Sequence, residues 1–403
     1  MIHALFLALT TNFIDTNTVV PNMLTSVGGT AFHMGVLSAI LIGGTKVMQL
    51  LFASLIINQK RKKPALLIGI NIRVLSLLIL AFLIANLKQK SNLNVWLVIF
   101  VMALFSFSGS YANIAYTDVM GKVIQSDTRK KLLINKQLIA SFGMIVSSFV
   151  VKFILSKLSY PQNYNLLFSL AGILLLLGSS GFYLLEEGER KVVEKISFKS
   201  QIKNFGAVLK KDKNFRRYLY LVNTSGVIIS TLPFLLLFGK SRFEIDSSLT
   251  GTFLLLQMGG SLITTTVLTL FSRNQKYRFL IYLFIAISFF IPILAFILPS
   301  VPYLYALVFL LGGVSFALSQ IIFTGVLLEI SDDDNRALYT GLSGFGSLMQ
   351  VVYPLIFGSL VGLLGYKIIF ILTSLYILLG LPAAQKIRCN RLDVTYLQPD
   401  NRL

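Results

Sequence analysis

The sequence predicts an all-α membrane protein: twelve spanning helices in two six-helix bundles related by a pseudo-twofold axis. Three observations point there. First, 55% of the 403 residues are hydrophobic and only 13% are charged, about half the charged fraction of an ordinary soluble chain, and the mean hydropathy is +0.77. A single apolar core stops growing at roughly 250–300 residues, so this much apolar material needs lipid as its solvent. Second, crossing hydrocarbon takes about 20 apolar residues, and twelve crossings use about 240. Third, one long polar stretch divides six apolar runs from six more. These features exclude a soluble enzyme, a disordered chain and a nucleic-acid-binding domain, and no nucleic-acid partner is expected.

The spans are read in order as 2–22, 31–57, 65–87, 95–117, 137–158, 165–185, 217–239, 249–272, 279–299, 301–328, 337–364 and 367–384. The first is interrupted by Asn12-Phe13-Ile14-Asp15-Thr16, and Pro21 is expected to end or kink it. The second holds Gly43-Gly44-Thr45-Lys46 with Gln49 a turn away. The third and ninth are the plainest, nearly all Leu, Ile, Phe and Ala, although Arg73 lies in the third. The fourth presents Ser108, Tyr111, Asn113 and Tyr116, and the fifth has Gly143 as its one glycine, no proline, and Lys152. The seventh opens on Asn223, Thr224 and Ser225. The tenth and eleventh are long and rich in Gly and Ser, as tilted or closely packed helices are. In the tenth, Ser315, Ser319 and Gln320 read as one polar stripe. Gly358-Ser359-Leu360-Val361-Gly362 in the eleventh is a pattern that lets helices approach closely.

The net charge of +20 has its explanation in topology, because Lys and Arg accumulate in cytoplasmic loops. The loop between spans two and three holds Lys60, Arg61, Lys62 and Lys63; the next on that side holds Lys122, Arg129, Lys130, Lys131 and Lys136. The segment Glu186 to Arg217 carries ten Lys and Arg. Both termini are therefore expected in the cytoplasm, and the protein in the plasma (inner) membrane. The expected division is 1–185 for the N-terminal bundle, 186–216 for a basic linker, 217–385 for the C-terminal bundle and 386–403 for a cytoplasmic tail. Within the linker, Phe198, Ile202, Phe205 and Leu209 recur at helical spacing, which suits either an amphipathic helix lying on a surface or a solvated linker. The apolar N-terminus lacks the basic n-region of a cleavable signal. Cys389 is the one cysteine and His3 and His33 are the two histidines, so neither a metal site nor a cofactor is expected.

The halves look like repeats. At an offset of 207, Thr117, Val119, Asp127 and Arg129 fall on Thr324, Val326, Asp334 and Arg336; at 202, Tyr164 and Phe168 fall on Tyr366 and Phe370. Asn58-Gln59-Lys60 recurs as Asn274-Gln275-Lys276. The whole layout resembles the major facilitator superfamily of secondary transporters. Ala53 to Lys62 (ASLIINQKRK) is similar to that family's Gly-x-Leu-Ala-Asp-Arg-x-Gly-Arg-Lys loop, with Arg61 and Lys62 matching its basic end. It departs from it at Ile57, where the family has aspartate, and at Ala53 and Lys60, where it has glycine. The Asp-x-Arg at Asp127–Arg129 and at Asp334–Arg336 is similar to the family's loops between spans four and five and spans ten and eleven. The resemblance implies a solute site near the midplane, walls from spans one, four, seven and ten, and halves that rock between inward- and outward-open states.

An ionisable group inside a membrane needs a reason. Asp15, with Thr11 and Asn12 on the same helical face, reads as a cavity carboxylate for a coupling proton or cation, or as a structural acid bonded to Thr or Asn. Lys46 is expected to face the bundle, pairing with Asp15 or meeting an anionic solute; Arg73 and Lys152 are expected to snorkel toward an interface. These three cations against one acid favour an anionic or zwitterionic solute. Expected solute contacts are Asn12, Lys46, Gln49, Tyr111, Asn113, Asn223 and Gln320. Expected gate residues are Arg61, Asp127, Arg129, Asp334 and Arg336. The function expected is a solute transporter, monomeric, surrounded by lipid and with a proton as the first candidate coupling ion. The alternatives are a lipid flippase or scramblase on the same fold, and a polytopic enzyme, for which no Gly-x-Ser-x-Gly, His-Glu-x-x-His or phosphate-binding loop is present.

Overall fold

The computed structural model describes residues 2–56, 59–87, 89–123, 126–187, 198–243, 247–271, 277–298, 302–331 and 336–387. All regular structure in these residues is helical. Nine stretches among them are long and apolar enough to cross a bilayer. One of these, Tyr339–Lys386, runs for 48 residues and turns back at Gly365, so it makes two spans. The first span, divided at residues 14–18, and the fifth, Ser126–Lys157, which starts in a charged sequence, complete the twelve. The third span, Lys63–Asn86, has 24 residues and is about 36 Å long at 1.5 Å per residue, enough for the hydrocarbon layer.

The outward faces confirm the solvent. Phe82, Phe100, Phe142, Phe149 and Phe153 on the third, fourth and fifth spans are all more than half exposed, as are Leu363 and Leu375 on the last two. An apolar belt of this extent is untenable in water and ordinary against lipid tails.

The helix pairings repeat after a shift of six. The first span packs on the fifth and sixth, and the seventh on the eleventh and twelfth. The third packs on the fourth and sixth, and the ninth (Tyr277–Ile297) on the tenth (Pro302–Ile330) and twelfth; the second packs on the fourth, and the eighth (Ser247–Phe271) on the tenth. Between halves, the second packs on the eleventh and the fifth on the eighth, which the same shift interconverts. The repeat reaches single residues. Tyr164 and Phe168 in the sixth span have ring centroids 6.2 Å apart, and their counterparts Tyr366 and Phe370 in the twelfth are 5.9 Å apart.

Several spans are not continuous helices. The first consists of Ile2–Phe13 and Val19–Val27, and its repeat partner, the seventh, of Lys213–Thr224 and Val227–Arg242. The second contains a π-helical turn at Ala39–Gly44 between Ala31–Ser38 and Thr45–Ile56. The eleventh pauses between Arg336–Gly346 and Met349. Pro21 does not end the first span, as the sequence suggested. It lies in the first turn of the second piece, where a missing N–H costs nothing, and the chain stays helical to Val27.

The end bearing Lys60–Lys63 is the basic end. There, Glu187 Oε2 accepts from the backbone N–H of Lys62 and Lys63 at 2.7 and 2.6 Å, tying the sixth span to the positive start of the third. The basic helix Phe198–Lys211 packs its Phe205 ring on Phe345, 5.4 Å between centroids, so its apolar side docks on the eleventh span. Asp212 caps the seventh span through Asn214 and Phe215 N–H, and its second oxygen accepts from Tyr339 Oη at 2.6 Å.

Candidate functional site

Between the halves lies a cavity of about 850 Å³. The N-terminal half contributes Thr11, Asn12, Asp15, Thr45, Arg73, Phe105, Asn113 and Met144, among others. The C-terminal half contributes Gln257, Ser261 and Thr265 from the eighth span and Phe316, Gln320 and Ile321 from the tenth. Thr11, Asn113 and Gln320 are exposed, and Asn113 and Gln320 lie toward the basic ends of the fourth and tenth spans, so the cavity opens there.

The deep wall is made by the break in the first span. The break leaves backbone N–H groups outside both helical pieces, and Asp15 accepts from those of Asn17 and Thr18, just ahead of the second piece. Its Oδ1 takes bonds from Asn17 N at 3.0 Å, Thr18 N at 2.8 Å and Thr18 Oγ1 at 2.7 Å. Its Oδ2 faces the other half, where Gln257 Nε2 lies 3.4 Å away. Asp15 therefore does not share a helical face with Thr11 and Asn12, because the helix has already ended at Phe13. All three nonetheless meet in the cavity wall. Asn12 Nδ2 bonds Met144 O at 2.5 Å and the hydroxyls of Ser147 and Ser148, each at 2.9 Å, fixing the first span on the fifth. The Oδ1 atoms of Asn12 and Asn17 are buried without a partner.

Of the sequence-predicted contacts, the cavity brings together Asn12, Asp15, Asn113 and Gln320. Others lie elsewhere. Asn223 sits in the joint between the seventh and eleventh spans, where Nδ2 donates to Leu219 O and Gly346 O and Oδ1 accepts from Met349 N. It is occupied by the break it stabilises. The seventh span lines none of the cavity; its second piece is buried from Val227 to Gly239, and the eighth span takes its place in the wall. Tyr111 packs edge-on against Phe52, 5.3 Å between centroids. Lys46 is half-buried outside the cavity wall, and the oxygens of Asp15 bond Asn17, Thr18 and Gln257. The tenth span carries no single polar stripe, since Ser315 bonds Ser288 of the ninth at 2.8 Å while Gln320 faces the cavity. Arg73 does not snorkel; it stays in the wall, its Cζ 4.5 Å from the Phe105 ring centre. Arg61 is exposed at the basic end. The side chains of Gln49, Asp127, Arg129 and Arg336, and all of Asp334, lie outside the described residues.

Gln257 was missed by the sequence reading. Its signal was available: a buried amide inside an otherwise Leu-rich run needs a partner. Lys240 was also missed. At the end opposite the basic loops, its Nζ donates to Asn22 Oδ1 and, at 2.7 Å, to Thr25 Oγ1, joining the seventh span to the first. Hydrogen bonds from a charged donor contribute about 1.5–3 kcal/mol each, so Lys240→Met should shift the population toward a far-end-open state by tenfold or more, as ~1.4 kcal/mol is tenfold. Leu24, 1% exposed beside this contact, reports it. In a Cys389→Ser background, maleimide labelling of Leu24→Cys should accelerate when Lys240 is replaced, and an unchanged rate would remove Lys240 from the closure.

The Major Facilitator Superfamily model matches residues 2–347. No curated protein sequence matches the chain. Similar solved structures include the nucleoside transporter NupG, at 13% identity and a TM-score of 0.66 over 96% of this chain and 98% of that one. A POT family transporter in complex with 5-aminolevulinic acid is similar at 11% identity and a TM-score of 0.69, over 96% and 95%. The xylose transporter XylE from E. coli, in an inward open conformation, is similar at 13% identity and a TM-score of 0.63, over 97% and 96%. At these identities the likeness is one of fold.

Proposed function

The chain belongs to the Major Facilitator Superfamily, whose fold here is that of secondary transporters, and from that premise we propose that it moves a small organic solute across the plasma membrane by alternating access, with a proton as coupling ion. The observation that carries this reading is the cavity itself: polar groups of both halves meet at mid-depth, one end is open and the other is held shut by contacts between halves. Asn113 and Gln320, from repeat-equivalent spans, are the proposed solute contacts at its mouth, with Asn12 behind them. Asp15 is the proposed proton site, because its Oδ2 is the one carboxylate oxygen directed from the first span to the opposite half. When the basic end closes, Arg61 and the Asp127–Arg129 and Asp334–Arg336 pairs are proposed to bridge the halves. The bundles 1–185 and 217–385 are the proposed rocking units, the protein acts as a monomer, and both termini face the cytoplasm.

A metabolite panel that includes a nucleoside, 5-aminolevulinic acid and xylose tests this by thermal shift, since a bound solute stabilises by mass action. A hit should then accumulate in proteoliposomes under an imposed proton gradient and equilibrate when a protonophore collapses it. Redistribution of labelled lipid between leaflets with no uptake of any hit would replace this reading with lipid translocation.

A further inference from the structure

We infer that Arg73 is the seat for an anionic group, a carboxylate or a phosphate monoester, on the solute that enters the cavity. This rests on the transporter reading and adds the chemical class of the cargo. A guanidinium at mid-span is costly unless something compensates it. Among the described residues no carboxylate does so. The oxygens of Asp15 go to Asn17, Thr18 and Gln257, and Glu329, near the basic end of the tenth span, has its Oε2 buried without a partner. Arg73 is nevertheless held in place. One flat face lies on Phe105, with Cζ 4.5 Å from the ring centre. One turn further along the same helix, Gly109 leaves the space that the side chain needs: a methyl there would sit 3.2 Å from Nε and 3.4 Å from Cζ. The helix bearing both is itself anchored, because Ser106 and Ser110 donate to Ile40 O and Thr45 O of the second span at 3.2 and 3.1 Å.

This seat leaves one edge of the guanidinium free. Nε is sealed from solvent and has no acceptor, and Arg73 lines the cavity, which leaves the two terminal nitrogens as the donors it can offer there. Two parallel N–H donors on a rigid plane match the two oxygens of a carboxylate or phosphate, which a lysine cannot do. A fixed, uncompensated fork facing an open cavity therefore lacks its anion, and the solute supplies it.

The test reads Arg73 itself. Phenylglyoxal modifies accessible guanidinium groups, and mass spectrometry of the digested full-length protein resolves the peptide carrying Arg73. Succinate, 5-aminolevulinate and glycerol 3-phosphate are each offered as protectants, with succinamide and glycerol as uncharged controls. At least one anion should slow modification of Arg73 fivefold or more while the controls leave it unchanged. Protection by succinate or 5-aminolevulinate but not by glycerol 3-phosphate identifies a carboxylate, and the converse a phosphate ester. The thermal shift given by the protecting anion should vanish in Arg73→Gln and persist in part in Arg73→Lys. Equal modification rates with every anion, or equal protection by the uncharged controls, would overturn the assignment. Uptake separates the two readings: accumulation of an uncharged solute without protection removes the anion seat and leaves the transporter, whereas protection by an anion that never crosses the membrane leaves the seat and removes the transporter.

Discussion

Gly358→Leu is expected to reduce solute uptake to less than about a tenth of wild type, while Gly362→Leu leaves it unchanged, although both glycines belong to one small-residue motif. A Cβ on Gly358 would lie 2.5 Å from Ala31 O and 3.1 Å from the Cα of Gly35; a Cβ on Gly35 would run into Pro354 O. The second and eleventh spans thus cross backbone to backbone at the end opposite the basic loops, and no rotamer can relieve the clash. Inserting methylenes into a packed contact typically costs about 1–3 kcal/mol, and in the proposed cycle that cost falls on the far-end-closed state. The variant should populate the other state, with faster maleimide labelling of Leu24→Cys. Nothing lies within 4 Å of a Cβ on Gly362, so its leucine faces lipid. Equal uptake by the two variants would show that the glycine crossing is not part of the cycle.

The second large effect is expected at Asp15. Asparagine keeps a carbonyl oxygen for Asn17 N, Thr18 N and Thr18 Oγ1, so Asp15→Asn should fold with an unchanged melting temperature. Alanine removes that acceptor and should lower the melting temperature, the lost hydrogen bonds contributing about 1 kcal/mol each. The charge is a separate matter. If the solute-binding state carries the proton on Asp15, wild-type affinity is highest at low pH and falls as pH rises and the carboxylate ionises. Asparagine mimics the protonated acid, so the variant should keep high affinity at all pH values and lose concentrative uptake. A coupling of about 1–3 kcal/mol between two ligands is a five- to 150-fold change in affinity, which isothermal titration across pH resolves. A wild-type pH profile in Asp15→Asn would reduce Asp15 to its role in the turn at the break.

The spans were readable in the sequence because each is a run of about 20 apolar residues, which only lipid rewards. The breaks were not. Pro21 was the most conspicuous signal in the first span, yet the helix ends eight residues earlier, at Phe13. The better guide was Asp15 followed by Asn17 and Thr18, since short acidic side chains bond backbone N–H two and three residues on. Periodicity also cannot tell which face of a spanning helix meets a cavity rather than a neighbour. Asn223 and Asn113 look alike in sequence, but the first is consumed by a helix joint and the second lines the opening. Arg73 looked like a residue free to reach an interface until Phe105 and Gly109 were seen to hold it at depth. Repeats were legible where aromatic pairs recur, as at Tyr164/Phe168 and Tyr366/Phe370.

Gly365 reverses the chain with φ of 76° and ψ of 160° in a hairpin with almost no connecting loop. Across that hairpin Tyr353 and Thr373 share a hydroxyl bond, Ser374 donates to Phe289 O of the ninth span at 2.9 Å, and Ser225 of the seventh donates to Ile377 O at 2.8 Å. A push on the eleventh span cannot be absorbed by slack in so short a link. In the proposed cycle the twelfth, ninth and seventh spans travel with it, so torque applied at the crossing with the second span turns these helices together as a lever.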